Sequence, residues 1–107
     1  MWDVPAEGVI AAARAAARDD LIITTIDLGQ NVAISMAKNG HIKGLGAQRP
    51  YDQGVTEALL AGYGLLGKAA PAYVALPALP VTRSNLLESW KAVYHADAPA
   101  NVRDSIK

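Results

Sequence analysis

Apolar residues recur along the chain with two spacings, one typical of helices and one typical of buried strands. Segments with an apolar residue every three or four positions alternate with short, nearly continuous apolar runs. The pattern predicts helices over residues 3–18, 31–38, 51–66 and 85–94, and strands over residues 21–26, 42–47 and 72–76. This alternation predicts an α/β fold, with a mainly parallel sheet that has helices on both faces.

Two polar residues follow directly after predicted strands. Asp27 comes after the first strand and Gln48 after the second. Ligands of parallel sheets bind beyond the carboxyl ends of the strands, so both residues are candidates for ligand binding. The alternatives are that Asp27 only caps the turn into the next helix and that Gln48 faces solvent from a loop.

The C-terminal third of the chain contains prolines, one more helix and a polar end. Pro77 and Pro80 each remove a backbone donor, so the segment between them is not expected to continue a central strand. Trp90 and Tyr94 lie on the apolar face of the last helix and are expected in the core. Residues 96–107 are predicted to be a polar tail.

Composition and charge point to a small globular protein. The 107 residues suffice for one domain, 51% of them are hydrophobic, and the formal net charge is zero. No run of like charges predicts nucleic-acid binding, and no apolar run approaches the ~20 residues of a membrane span. The start of the chain is not expected to be a signal peptide, and the absence of cysteine excludes a disulfide framework.

Residues that could support catalysis or hold a cofactor are sparse. His41 and His95 are isolated from other residues of metal-ligand type and are expected on the surface, as is Arg49. The segment Gly44-Leu45-Gly46 begins like a dinucleotide fingerprint, but Arg49 stands at the third glycine position. We therefore expect no enzyme activity, no metal and no cofactor.

Several blocks of the sequence, taken together, resemble a known family. The blocks are WDVPAEG at residues 2–8, TIDLG at 25–29, GLGAQRPYDQG at 44–54 and LPVT at 79–82. In this order and at this spacing they resemble the sugar-binding proteins of the ribose-binding type, which are periplasmic components of ABC importers. Each block alone is weakly specific, but the resemblance covers nearly the whole chain, and residues 79–82 look like the family's C-terminal strand.

The resemblance implies a function and a ligand site. It implies that the parent protein is periplasmic, binds a monosaccharide or small polyol without chemistry, and delivers it to an ABC permease. It also implies that Asp27 contacts sugar hydroxyls and that Gln48, Asp3 and Trp2 are further contacts. For Asp3 and Trp2 the alternatives are a carboxylate that caps a helix and an indole exposed by truncation. The alternative function is the effector-sensing core of a sugar-responsive transcription repressor, which shares the fold.

The resemblance also implies that the chain is only the C-terminal portion of a two-lobed protein. Residues 1–48 and 78–95 would belong to the C-terminal lobe, and residues 51–76 to the other lobe. A partial cleft leaves one face of the sugar in water, so the chain alone is expected to bind sugar weakly or not at all. Its unpartnered apolar surfaces predict a homodimer, with exchange of elements between copies as one route.

Overall fold

The computed structural model describes residues 1–106 as helices and short strands in near alternation. The elements are α1 (Asp3–Ala15), β1 (Ile23–Ile26), α2 (Gln30–Ala37), β2 (Ile42–Ala47), α3 (Pro50–Leu65), β3 (Leu79–Val81), a 3-10 helix (Arg83–Asn85), α4 (Leu86–Tyr94) and α5 (Ala100–Arg103). A three-stranded sheet is flanked by helices, and the α/β class that the sequence predicts is confirmed.

Local sequence explains where the first and third helices begin and end. Asp3 lies in the first turn of α1, where the helix dipole favours a negative charge. Pro50 takes the first position of α3, where its missing N–H is not needed. Helix α1 ends at Ala15, before the predicted residue 18, because Ala17 adopts a left-handed conformation with φ of 51°. None of the described helices is both long and apolar enough to cross a bilayer.

The sheet has the strand order β1-β2-β3 and is mixed in direction. Strands β1 and β2 are parallel, with Ile26 opposite Gly46 at the end of the pairing. Strand β3 runs antiparallel to β2, with Leu45 opposite Val81. On the far side of β1, Trp2 makes a single parallel bridge to Ile26. The prediction of a mainly parallel sheet is therefore wrong for one of the two strand pairs, that of β2 and β3.

The third strand also lies at a different place in the sequence from the predicted one. Residues 72–76 form no strand, and β3 covers Leu79–Val81 instead. Pro80 is tolerated there because β3 is an edge strand, where a missing backbone donor faces away from the ladder. Residues 73–75 are exposed, so their apolar character does not by itself produce a strand.

The hydrophobic core lies between the sheet and the helices other than α3. Helix α2 is its most buried element, with five of its eight residues enclosed. The largest fully buried side chains are Leu28, Val32, Met36, Ile42, Val81, Leu86, Val93 and Val102. Trp90 is also buried and Tyr94 is half-buried, as the apolar face of the last helix predicts.

Two regions are more buried than the sequence predicts. Within the predicted polar tail, Ala98 and Val102 are buried and α5 packs against α2; Lys107 lies outside the described residues. His41, which was expected on the surface, is only 7% exposed. Its Nδ1 atom lies 3.1 Å from the carbonyl oxygen of Leu21, so the imidazole is enclosed as a hydrogen-bonded group. These are corrections to the sequence-based expectations.

Helix α3 stands apart from the core. It contributes no buried residue, and the molecule extends over 58 × 25 × 16 Å. The radius of gyration is 16.8 Å, whereas a compact chain of about this length has roughly 13 Å. The N-terminal end of α3 is held by α4 through a stacked pair, Tyr51 and His95, with ring centroids 3.9 Å apart. The exposed position of His95 agrees with its predicted surface location.

Candidate functional site

The carboxyl ends of β1 and β2 and the start of α1 bring all four predicted ligand-binding residues to one edge of the sheet. Asp27 follows β1 and Gln48 follows β2. Trp2 forms an isolated parallel bridge with Ile26, on the side of β1 away from β2. Asp3 comes directly after this bridge, so it lies at the same edge of the sheet. The order across this edge is thus Asp3, Asp27 and Gln48, because the sheet order is Trp2, β1, β2.

Asp27 is held in a defined conformation by the neighbouring strand. Its backbone N–H donates a 3.0 Å hydrogen bond to the carbonyl oxygen of Gly46. Its φ of 71° lies in the left-handed region, which aspartate tolerates better than most residues other than glycine. Its side chain is partly exposed, so the carboxylate is fixed by the backbone and open to solvent on one side.

The pKa of Asp27 is raised above its ordinary value. Partial burial is the main cause, and the negative charge of Asp3 adds to the effect. Both causes disfavour the ionised carboxylate. A ligand that offers hydroxyl donors to this carboxylate would offset the same penalty, since hydrogen bonds to the charged form stabilise it.

Asp3 lies directly against the loop that follows β1. A Cβ atom at Gly29 would overlap Oδ2 of Asp3, so only glycine leaves room for this contact. The other carboxylate oxygen, Oδ1, accepts a 2.8 Å hydrogen bond from the backbone N–H of Val4. Asp3 therefore lies in the first turn of α1 and approaches the Asp27 loop, and its contact with a ligand stays a prediction.

Tyr94 is a member of this site that sequence reasoning did not identify. Its hydroxyl donates a 2.7 Å hydrogen bond to the carbonyl oxygen of Leu28. Burial raises the pKa of the Tyr94 phenol, and the nearby charges of Asp3 and Asp27 raise it further. The sequence signal was the helical spacing of Trp90 and Tyr94, which predicts packing but cannot show where the hydroxyl points.

Two of the predicted residues form the open rim of the edge. The side chain of Trp2 is 55% exposed, and Gln48 is exposed as well. Arg49 is turned away to Asp52, with its Nε atom 2.7 Å from a carboxylate oxygen at the start of α3. The edge therefore presents an indole, two carboxylates and an amide, of which the indole and the amide are exposed.

The functional groups at this edge are suited to hydrogen bonding. Carboxylates accept hydrogen bonds from hydroxyls, and the Gln48 amide can both donate and accept. Among residues 1–106, no three side chains of histidine, aspartate or glutamate are grouped so that they could hold a metal ion. A separate groove of about 320 Å³ lies between α1 and α2, and none of the four predicted residues lines it.

Comparison with known proteins does not assign the chain to a family. A scan against protein-family models and a search of curated proteins both returned no match. The resemblance to ribose-type sugar-binding proteins thus rests on the sequence blocks alone. The functional interpretation of the edge rests on its geometry and chemistry.

Proposed function

We propose that this chain is the C-terminal portion of a two-lobed, periplasmic sugar-binding protein and carries one half of its ligand site. The observation that supports this most strongly is the placement of Asp3, Asp27 and Gln48 at adjacent carboxyl ends of the sheet. Ligands of open α/β sheets occupy this edge. The fold of the parent lobe would be of the periplasmic-binding-protein type, with β3 as its antiparallel edge strand.

The chemistry of the edge favours a monosaccharide or small polyol. The backbone of Asp27 has a left-handed conformation and its side chain is partly exposed. Its carboxylate can therefore accept hydrogen bonds from two neighbouring hydroxyls. Gln48 can serve a further hydroxyl as donor or acceptor. The exposed indole of Trp2 offers an apolar face on which a sugar ring can pack.

The second half of the site would come from the other lobe. Helix α3 and residues 68–78 stand away from the core, in agreement with the proposed division in which residues 51–76 belong to that lobe. The parent protein would close over the sugar between the lobes and present it to an ABC permease. The chain alone holds the sugar on one side only, so its affinity is millimolar or weaker.

A nuclear magnetic resonance titration of the 107-residue chain tests this function. Monosaccharides and polyols are added to isotope-labelled protein, and the backbone amide and indole signals are followed. We expect concentration-dependent shifts at Trp2, Asp3, residues 27–29 and Gln48, and no comparable shifts in α3. Asp27→Ala should weaken binding tenfold or more, because a hydrogen bond to a charged group contributes roughly 1.5–3 kcal/mol.

The matched control is Asp19→Ala, which removes one negative charge at an exposed position of the turn after α1. This variant should respond to sugar as the unmodified chain does. The proposal is contradicted if the shifts map to another surface. It is also contradicted if Asp27→Ala and Asp19→Ala behave alike.

A further inference from the structure

The groove of about 320 Å³ between α1 and α2 is lined by polar residues from both helices. Glu7 and Arg14 line it from α1, and Asn31 and Lys38 line it from α2 and its C-terminal cap. Within each pair the residues are seven positions apart, so they lie on one side of the helix, about 10 Å from each other along its axis. The volume is at the lower end of the range for small-molecule sites, which is about 300–1,000 Å³.

The two helices run in the same direction, so the groove has two different ends. Trp2 bridges β1 in parallel and β1 pairs with β2 in parallel, and each helix returns the chain between two of these neighbours. Arg14 and Lys38 therefore lie at one end, beside the C-termini of both helices, and Glu7 and Asn31 lie towards the other. The candidate sugar site is at the N-termini of these helices, so the basic end of the groove is at the opposite edge of the sheet.

The polar side chains that line the groove are unpartnered. Among residues 1–106, none of them has a side-chain hydrogen bond or an ion pair. Two nearby cations are paired, since Arg18 binds Asp20 and Lys43 binds Asn39. Two cations without a counter-ion at one end of a groove favour a ligand with a negative charge, because hydrogen bonds between charged groups are the strong ones.

Ser35 is a second and independent indication of a ligand. It lines the groove one turn before Lys38, is only 6% exposed, and its hydroxyl has no hydrogen-bond partner. The hydroxyl lies against Gly40, which also lines the groove, because a Cβ atom at Gly40 would be 2.8 Å from Oγ. A buried unpaired hydroxyl is unfavourable. Rotation about one side-chain bond would let it donate to an anion in the groove, which removes this penalty.

We propose that the groove is a second binding site and takes a small organic anion. The charged group, a carboxylate or a phosphate, lies between Arg14 and Lys38 and accepts a hydrogen bond from Ser35. The apolar body lies along Ile10 and Ile34, which line the groove between its two ends. Both isoleucines are already largely covered by the chain, so we expect only millimolar affinity. This inference does not rest on sugar binding, because the two sites share no residue.

A nuclear magnetic resonance titration of the isotope-labelled 107-residue chain tests the site with hexanoate, hexyl phosphate and 1-hexanol. At least one of the two anions should shift the amide signals of residues 7–14 and 31–40, with saturation in the millimolar range. The anion that binds more tightly identifies the charged group. 1-Hexanol has the same apolar chain without the charge and should bind about tenfold more weakly, because the hydrogen bonds to a charged group are lost.

Variants of the lining residues separate binding from folding. Arg14→Gln and Lys38→Gln should each weaken binding of the anion roughly three- to fivefold, as expected for an exposed charge pair. Lys68→Gln is the control, since it removes the same charge at an exposed position away from the groove, and it should leave the affinity unchanged. Ser35→Ala should weaken binding and yet give a more stable chain, a combination that a purely structural role does not produce.

Four results would overturn the inference. They are shifts from both anions that fail to saturate or that map to another surface, equal binding of 1-hexanol and the anions, equal affinity of the Arg14→Gln and Lys68→Gln variants, and unchanged binding by Ser35→Ala.

Discussion

The Tyr94 hydroxyl donates a 2.7 Å hydrogen bond to the carbonyl oxygen of Leu28, two positions before the start of α2. The two residues are 66 positions apart in sequence. The bond joins the end of α4 to the loop that carries Asp27. A contact between distant parts of the chain thus helps to position the candidate sugar-binding carboxylate.

Removal of this hydrogen bond should destabilise the chain. We expect Tyr94→Phe to lower the free energy of unfolding by about 1 kcal/mol, because the buried Leu28 carbonyl loses its side-chain donor. Urea denaturation measures the change. Tyr73→Phe is the control, since the side chain of Tyr73 is 83% exposed, and it should have no measurable effect. Equal stability of both variants would show that the bond contributes nothing.

The Asp27 carboxylate should oppose folding at neutral pH. Its pKa is raised in the folded chain, chiefly by burial and then by Asp3, so the folded state binds the proton more tightly than the unfolded state does. Stability therefore falls as the pH rises from the ordinary range of the carboxyl through its raised pKa. We expect Asp27→Asn to raise the melting temperature at pH 7 and to lose this advantage as the pH is lowered.

The matched control for that experiment is Asp19→Asn, which also removes one negative charge but lies at an exposed position. Thermal melts of the three proteins across a pH series make the comparison. An Asp27→Asn variant that is less stable at neutral pH would contradict the account. So would a stability gain that does not change with pH.

Ser35 is a buried residue of α2 whose hydroxyl has no hydrogen-bond partner. A buried unpaired hydroxyl costs about 1–3 kcal/mol, so Ser35→Ala should stabilise the chain by about 1 kcal/mol in urea denaturation. Part of that gain would come from the higher helix propensity of alanine. Ser89→Ala, at a buried serine of α4, measures the propensity contribution. Ser35→Ala should stabilise more than Ser89→Ala does, and a loss of stability would contradict the assignment.

The sequence predicted well what depends on local signals. The apolar runs that became β1 and β2, and the helical spacing of α1 to α4, place these elements within a few residues of their observed bounds. Because β1 and β2 are parallel neighbours, Asp27 and Gln48 follow strand ends at the same edge of the sheet, as the pattern predicts. The placement of these two residues could therefore be predicted from local patterns, and their role in ligand binding stays a prediction.

What the sequence could not show depends on contacts between distant segments. Residues 72–76 have strand-like composition, yet the sheet adds Leu79–Val81 at its edge instead. His41 lacks a local signal for burial, and its enclosure depends on the carbonyl of Leu21, 20 positions away. Val102 looks like part of a polar tail until α5 packs against α2. In each case tertiary packing overrides what local propensity suggests.

The central claim, that Asp27 binds a sugar through its carboxylate, can be tested at the carboxyl group itself. The carbon signal of the Asp27 carboxyl is followed by nuclear magnetic resonance over a pH series, with and without a sugar at a concentration that approaches saturation. Hydroxyl donors stabilise the ionised form, so the raised pKa of Asp27 should fall when the sugar binds. A pKa of Asp27 that is the same with and without bound sugar would contradict the claim.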